Sequence, residues 1–263
     1  MRTTLRALIP MVAILSGCST GGTPAPAPAS PDGIALTTAT TSRLTGSYHD
    51  AAGNVLSFDT ARSGDDLYLD LRGNGDRAII HIETVGDNYE FSYMGGALKM
   101  HTTKAFVAAA RAQATTTADG VSTDGFVWDG DRNALDAMLQ LPEISQLPFL
   151  SRALGARGIT GSAFPASLAL HKAAKQSAEA LGINVEKLDT ALSSTSSGYC
   201  QDLSGDPYGN QCDGMCGYGC SCWGWVCGDC CWHYGCAVHD SWCRNGQWYY
   251  CYNITAVIAL FGC

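Results

Sequence analysis

Twelve of the chain's thirteen cysteines fall between Cys200 and Cys263, the last 64 of its 263 residues. A tract that short buries too little apolar surface to hold itself together. Cross-links must therefore supply much of its stability, at roughly 2–4 kcal/mol for each well-made bridge. An even number of cysteines at this density reads as a disulfide framework of six pairs. Such a framework persists in an oxidising compartment, because cytosolic thiols are kept reduced. The same tract carries five of the six tryptophans, five aspartates and a single basic residue, Arg244. The chain as a whole is 46% apolar, enough for a packed core. Its net charge of -8 offers nothing to neutralise a phosphate backbone, so a nucleic-acid partner is not expected.

The thirteenth cysteine belongs to a different argument. Residues 1–17 begin with Arg2 and Arg6 and continue through the apolar run Ala7 to Leu15. That pattern fits an export signal, and it is too short to span a bilayer. It ends in Leu15-Ser16-Gly17-Cys18, which resembles the bacterial lipoprotein box. The resemblance implies that Cys18 is lipidated and becomes the new N-terminus. Ser19 after it resembles an outer-membrane address, so the expectation is an exported outer-membrane lipoprotein, facing the periplasm or the outside. Residues 18–40 open with a Pro/Ala/Ser-rich stretch and are read as a tether.

Between the tether and the cysteines the pattern changes twice. Residues 41–102 hold five or six short alternating segments separated by Gly, Asn and Asp, which reads as an antiparallel meander. His81 and His101 sit on these strands and are read as structural. Residues 103–192 turn helical, in pieces around 105–111, 134–141 and 166–181, with Pro142, Pro148 and Pro165 as breaks. His171 and Lys172 are expected on a solvated face. The tract Ser193 to Gly198 reads as a linker into a module spanning 199–263. The fold class expected is thus α+β: a sheet, then helices, then a small disulfide-rich, mainly helical unit. The apolar run Ile254 to Phe261 is too short for a membrane span and reads as a buried helix.

The chemistry concentrates in Cys236-Ala-Val-His239-Asp240-Ser-Trp-Cys243. On a helix, residues 236, 239, 240 and 243 share a face. His239 and Asp240 then lie ~100° apart and are expected to point at neighbouring but different spots. A carboxylate that binds metal beside an imidazole that takes a proton from water would suit this arrangement. Upstream, Met215-Cys216-Gly217-Tyr218-Gly219 is backbone able to turn several carbonyls toward one point, as calcium requires. A zinc site drawn from Cys220, Cys222, Cys227, Cys230, His233 and His239 is disfavoured, because exported thiols oxidise and twelve cysteines pair evenly.

Cys-Gly-x-Gly followed by Cys-x-x-His-Asp resembles the secreted phospholipase A2 superfamily. The continuation Ser-Trp-Cys-Arg244-Asn245 is similar to its bacterial and fungal branch. The match spans about residues 212–246. It implies that His239 is the catalytic base, and that calcium is held by the carbonyls of Met215, Gly217 and Gly219 with the carboxylate of Asp240. It further implies a bridge between Cys216 and Cys236, and hydrolysis of the ester at the glycerol 2-position, with a phospholipid surface as partner. The tryptophans 223, 225, 232, 242 and 248 are read either as a seat on that surface or as core.

Two departures matter. In the family a second carboxylate, on the following helix, orients the histidine; after Asp240 this chain has no Asp or Glu. Replacements considered are Asn253, Tyr249, Tyr250 and Tyr252, or the upstream Asp202, Asp206, Asp213 and Asp229. Gly235 also stands where a cysteine is expected. The alternative expectation is therefore a non-catalytic, disulfide-stapled module that binds calcium or lipid on the same scaffold.

Overall fold

A computed structural model describes residues 32–114, 122–159, 168–183, 214, 223–227 and 233–252. The architecture is α+β, an antiparallel sheet followed by helices. The eight strands are β1 (Ile34–Ala39), β2 (Arg43–His49), β3 (Val55–Ser63), β4 (Asp66–Gly73), β5 (Arg77–Val85), β6 (Asn88–Tyr93), β7 (Leu98–Thr103) and β8 (Val127–Gly130). They lie side by side in chain order, each antiparallel to the next. Period-two alternation drives this arrangement. In β4, Leu67, Leu69 and Leu71 are buried, while Tyr68, Asp70 and Arg72 between them are half-buried on the other face. Gly64 (φ +59) and Gly86 (φ +61) each begin a two-residue loop, between β3 and β4 and between β5 and β6. A left-handed residue at that position lets a short loop match the strand twist.

Six of these strands coincide with the alternating segments of the sequence. Two do not. β1 occupies residues assigned to the tether, which therefore gives way to structure by Ile34 instead of running to residue 40. Ile34 is buried there, and the Asp32 carboxylate accepts from its N–H at 3.2 Å. Arg157 clamps the same carboxylate with Nε–Oδ2 at 2.7 Å and Nη2–Oδ1 at 2.5 Å. β8 lies inside the region read as wholly helical and completes the sheet against β7. His81 is structural as expected: its Nδ1 lies 3.3 Å from Asp70 Oδ1 on the neighbouring strand.

The helices are α1 (Lys104–Ala114), α2 (Asn133–Leu139), α3 (Leu147–Ala156), α4 (Leu168–Leu181), α5 (Gly224–Cys227), α6 (Tyr234–Arg244) and α7 (Trp248–Tyr252). Pro148 does not break the chain but sits in the first turn of α3, where a missing N–H costs nothing. Glu143, fully buried, accepts from the Asn74 N–H at 3.0 Å and from Arg77 Nη2 at 2.6 Å, which ties the β4–β5 turn to the segment before α3.

α4 packs against α3 and α5. Its enclosure overturns the expectation of a solvated face at His171, which is fully buried. The ring bonds Ser151 Oγ through Nδ1 and the Ile159 carbonyl through Nε2 at 3.1 Å, so both nitrogens are satisfied without water. The Lys172 side chain lies outside the described residues. Trp223 and Trp225 stack at 5.7 Å and are buried, as is Trp242. These three are core and not a lipid seat. Trp248 is 56% exposed, and Trp232 lies outside the described residues.

Among the described residues the core is continuous from the sheet to the cysteine-rich tract. Phe126 meets Phe106 at 5.2 Å and Trp242 at 6.0 Å, and Trp128 meets Tyr249 at 4.7 Å. Residues of the cysteine-rich tract thus belong to the same buried cluster as the sheet.

Candidate active site

α6 is the helix anticipated around residues 236–243. Extended backbone at His233 precedes its first turn, and Cys236, Ala237, Val238 and His239 are buried along it. The helical repeat brings the ring of His239 and the sulfur of Cys243 onto one face, with Nε2 3.3 Å from Sγ. A disulfide joins Cys243 to Cys251 and pins α6 to α7.

His239 and Asp240 do not address separate spots, as their angular offset suggested. Nδ1 of His239 lies 2.8 Å from Oδ1 of Asp240. The cause is burial: the imidazole is only 4% exposed, and the adjacent carboxylate is the acceptor within reach. The other carboxylate oxygen, Oδ2, accepts the Gly214 N–H at 2.8 Å. The Gly214 carbonyl in turn accepts from the His233 N–H at 2.8 Å. Gly214, at φ +83, is therefore fastened to the start of α6 through both of its backbone groups.

On the opposite side of the ring stands a residue that sequence reasoning missed. Glu179 of α4 places Oε2 3.1 Å from His239 Nε2. Its second oxygen, Oε1, lies 3.8 Å from the ammonium of Lys175, one turn earlier on α4 and fully buried. The four upstream aspartates considered for this place lie outside the described residues, as does Asn253. The signal available was the pair Lys175 and Glu179, four apart in a helix otherwise rich in alanine. It reads equally well as an ordinary surface pair, so by itself it marks no site.

The electrostatics follow from this enclosure. Burial pushes the His239 pKa down, but the charge of Glu179 and the hydrogen bonds to Asp240 and Glu179 outweigh it and raise it to about 9. The ring is accordingly an imidazolium at neutral pH. Burial pushes the Asp240 carboxyl up, but the Lys175 charge, the His239 contact and the Gly214 N–H hold it below its ordinary value.

His239, Cys243 and Cys251 also present their ring nitrogen and sulfur atoms within 4.8 Å of one another. With the two sulfurs joined in a disulfide there is no thiolate to bind a soft metal. Of the expected site, His239 and Asp240 are thus brought together. Met215, Cys216, Gly217, Gly219 and Cys18 lie outside the described residues, and so does the proposed bridge partner of the buried Cys236. Among the described residues no helix is long and apolar enough to cross a membrane. Comparisons with protein-family models, with curated proteins and with solved structures gave no match.

Proposed function

We propose that the chain hydrolyses the 2-position ester of glycerophospholipids by phospholipase A2-type chemistry, with His239 as the base and Glu179 as the carboxylate that orients it. The observation that carries this reading is the seat of His239 between two carboxylates, one on its own helix and one on α4. An imidazole whose Nε2 proton is held by a carboxylate keeps its Nδ1 side for proton exchange. In the described arrangement Asp240 Oδ1 covers Nδ1, so the ring must first give up its Nδ1 proton, and a water must replace that oxygen, before the water's proton can pass to the ring. The hydroxide so formed attacks the ester carbonyl, and the proton returned from Nδ1 to the glycerol oxygen releases a fatty acid and a lysophospholipid.

The donor set suits calcium. Asp240 and the main-chain carbonyls of Met215, Gly217 and Gly219 are all hard oxygen donors. Gly214, next to that run, is already fastened to Asp240. When bound there, calcium would supply positive charge for the ester oxyanion and for the substrate phosphate. We further propose that Cys18 carries the lipid that holds the protein at an outer membrane, and that Cys216 bridges to Cys236.

The raised pKa of His239 favours a second reading, a module that binds calcium or lipid without turnover, because an imidazolium cannot accept a proton. Fatty-acid release from phosphatidylcholine, with calcium and with chelator, separates the two. Release that falls by roughly 10²–10⁴-fold in His239→Ala supports the esterase. Vesicle and calcium binding with no product establishes the binding module instead.

A further inference from the structure

One ring nitrogen of His239 is faced by more donor atoms than an oriented base needs. Nε2 lies 3.3 Å from Cys243 Sγ and 3.1 Å from Glu179 Oε2. The ring and the sulfurs of Cys243 and Cys251 bring their donor atoms within 4.8 Å of one another. The four side chains come from three helices, Glu179 from α4, His239 and Cys243 from α6 and Cys251 from α7. A tetrahedral zinc ion with bonds of about 2.0–2.3 Å holds its donors roughly 3.3–3.8 Å apart, so the spacings around Nε2 are already close to those of a zinc shell. Only the bond between the two sulfurs stands in the way. The other side of the ring fits the same chemistry. A metal-binding imidazole almost always gives its second N–H to a carboxylate or carbonyl that fixes its orientation. Here Nδ1 lies 2.8 Å from Asp240 Oδ1, and Asp240 is itself held by the Gly214 N–H at 2.8 Å.

We propose that the Cys243–Cys251 disulfide conceals a zinc site that reduction opens, with His239 Nε2, Cys243 Sγ, Cys251 Sγ and Glu179 Oε2 as its donors. The opening step needs a dithiol reductant. Its two thiols supply two electrons and two protons: the bond between the sulfurs breaks, two cysteine thiols form, and the reductant leaves as its own disulfide. Zinc then takes both sulfurs as thiolates and the ring without its Nε2 proton, and the displaced protons pass to solvent. Two soft sulfurs, an imidazole and one carboxylate suit zinc, whereas calcium takes hard oxygen donors throughout. The inference does not depend on the hydrolytic reading, because it uses Nε2 as the donor and leaves Nδ1 with Asp240. It makes the pin between α6 and α7 a redox-gated device: joined, the sulfurs hold two helices together, and parted, they hold a metal against a third.

The test is alkylation of the full chain by iodoacetamide, mapped by peptide mass spectrometry so that Cys243 and Cys251 are read apart from the other cysteines. The protein is reduced with dithiothreitol, freed of it under nitrogen, and alkylated with and without added zinc. Zinc is expected to slow alkylation of both cysteines on the order of 10-fold or more, because a metal-bound thiolate is no longer a free nucleophile. His239→Ala is expected to lose that protection. Asp240→Asn keeps all four donors and is expected to weaken zinc binding roughly 10–100-fold, and it serves if His239→Ala fails to fold. Equal alkylation of Cys243 and Cys251 with and without zinc overturns the proposal. Protection that persists in a folded His239→Ala, or that is undiminished in Asp240→Asn where the alanine variant does not fold, also overturns it, since zinc would then be held by sulfur alone. Either result leaves the hydrolytic reading untouched.

Discussion

Glu179 and Asp240 share one imidazole, and each side of the ring makes a separate prediction. Glu179→Gln removes the charge that holds Nε2 while keeping the shape. Fatty-acid release should fall by roughly 10–100-fold, the usual cost of losing a partner that orients a functional histidine. Unchanged release in that variant would remove Glu179 from the mechanism. The pH dependence concerns the metal-free protein. The folded-state pKa of His239 is raised, from 6.5 to about 9, so the stability it contributes is fully present below about pH 6.5 and is lost as pH rises through about 9. In chelator, wild type should therefore exceed His239→Gln in unfolding free energy at pH 6 by a margin that shrinks toward pH 9.5. A margin that grows over that range would contradict the ion-pair geometry.

At the scale of elements, the contact between α3 and α5 is set by a glycine. A Cβ at Gly155 would lie 3.0 Å from the Cβ of Trp225, so Gly155→Val should push the two helices apart and cost about 1–3 kcal/mol, measured as a lower denaturant midpoint. A neutral effect would mean that α5 packs elsewhere. Such close approaches mark the limit of what the sequence conveys. Six strands were legible because alternation and glycine turns are local signals, and so was α6, whose cysteine and histidine spacing fits a helical repeat. β1 was not, since Ile34-Ala-Leu-Thr-Thr-Ala39 follows directly on a Pro/Ala/Ser stretch and its partner strand lies beyond a turn. β8 pairs along only four residues, from Val127 to Gly130, too few to show a period. The burial of α4 was also hidden. Its charged residues look like a solvated face until α3 and α5 are seen to enclose it, and with that enclosure went the role of Glu179.

At the scale of the whole molecule, the cysteine-rich tract resembles an independent stapled unit, yet its aromatic residues finish a core begun by the sheet. Phe126 touches Trp242 and Tyr250, Trp128 touches Tyr249 and Tyr250, and Arg132 stacks over the Tyr249 ring at 4.5 Å. The site has the same construction, with His239 and Asp240 on α6 and Glu179 and Lys175 on α4. Neither half holds the full set of groups. Loss of the sheet should therefore remove the site, and the two should unfold together. Far-UV circular dichroism reports strands and helices together, and most of the described elements lie outside the cysteine-rich tract. Tryptophan emission reports mainly the cysteine-rich tract, which has five of the six tryptophans. Both signals should trace one transition in denaturant under non-reducing conditions. Phe126→Ala, which removes the ring between Phe106 and Trp242, should shift both curves equally, by about 3–5 kcal/mol. Separate transitions, or a shift confined to one probe, would show that the cysteine-rich tract folds on its own and that α4 only leans against it.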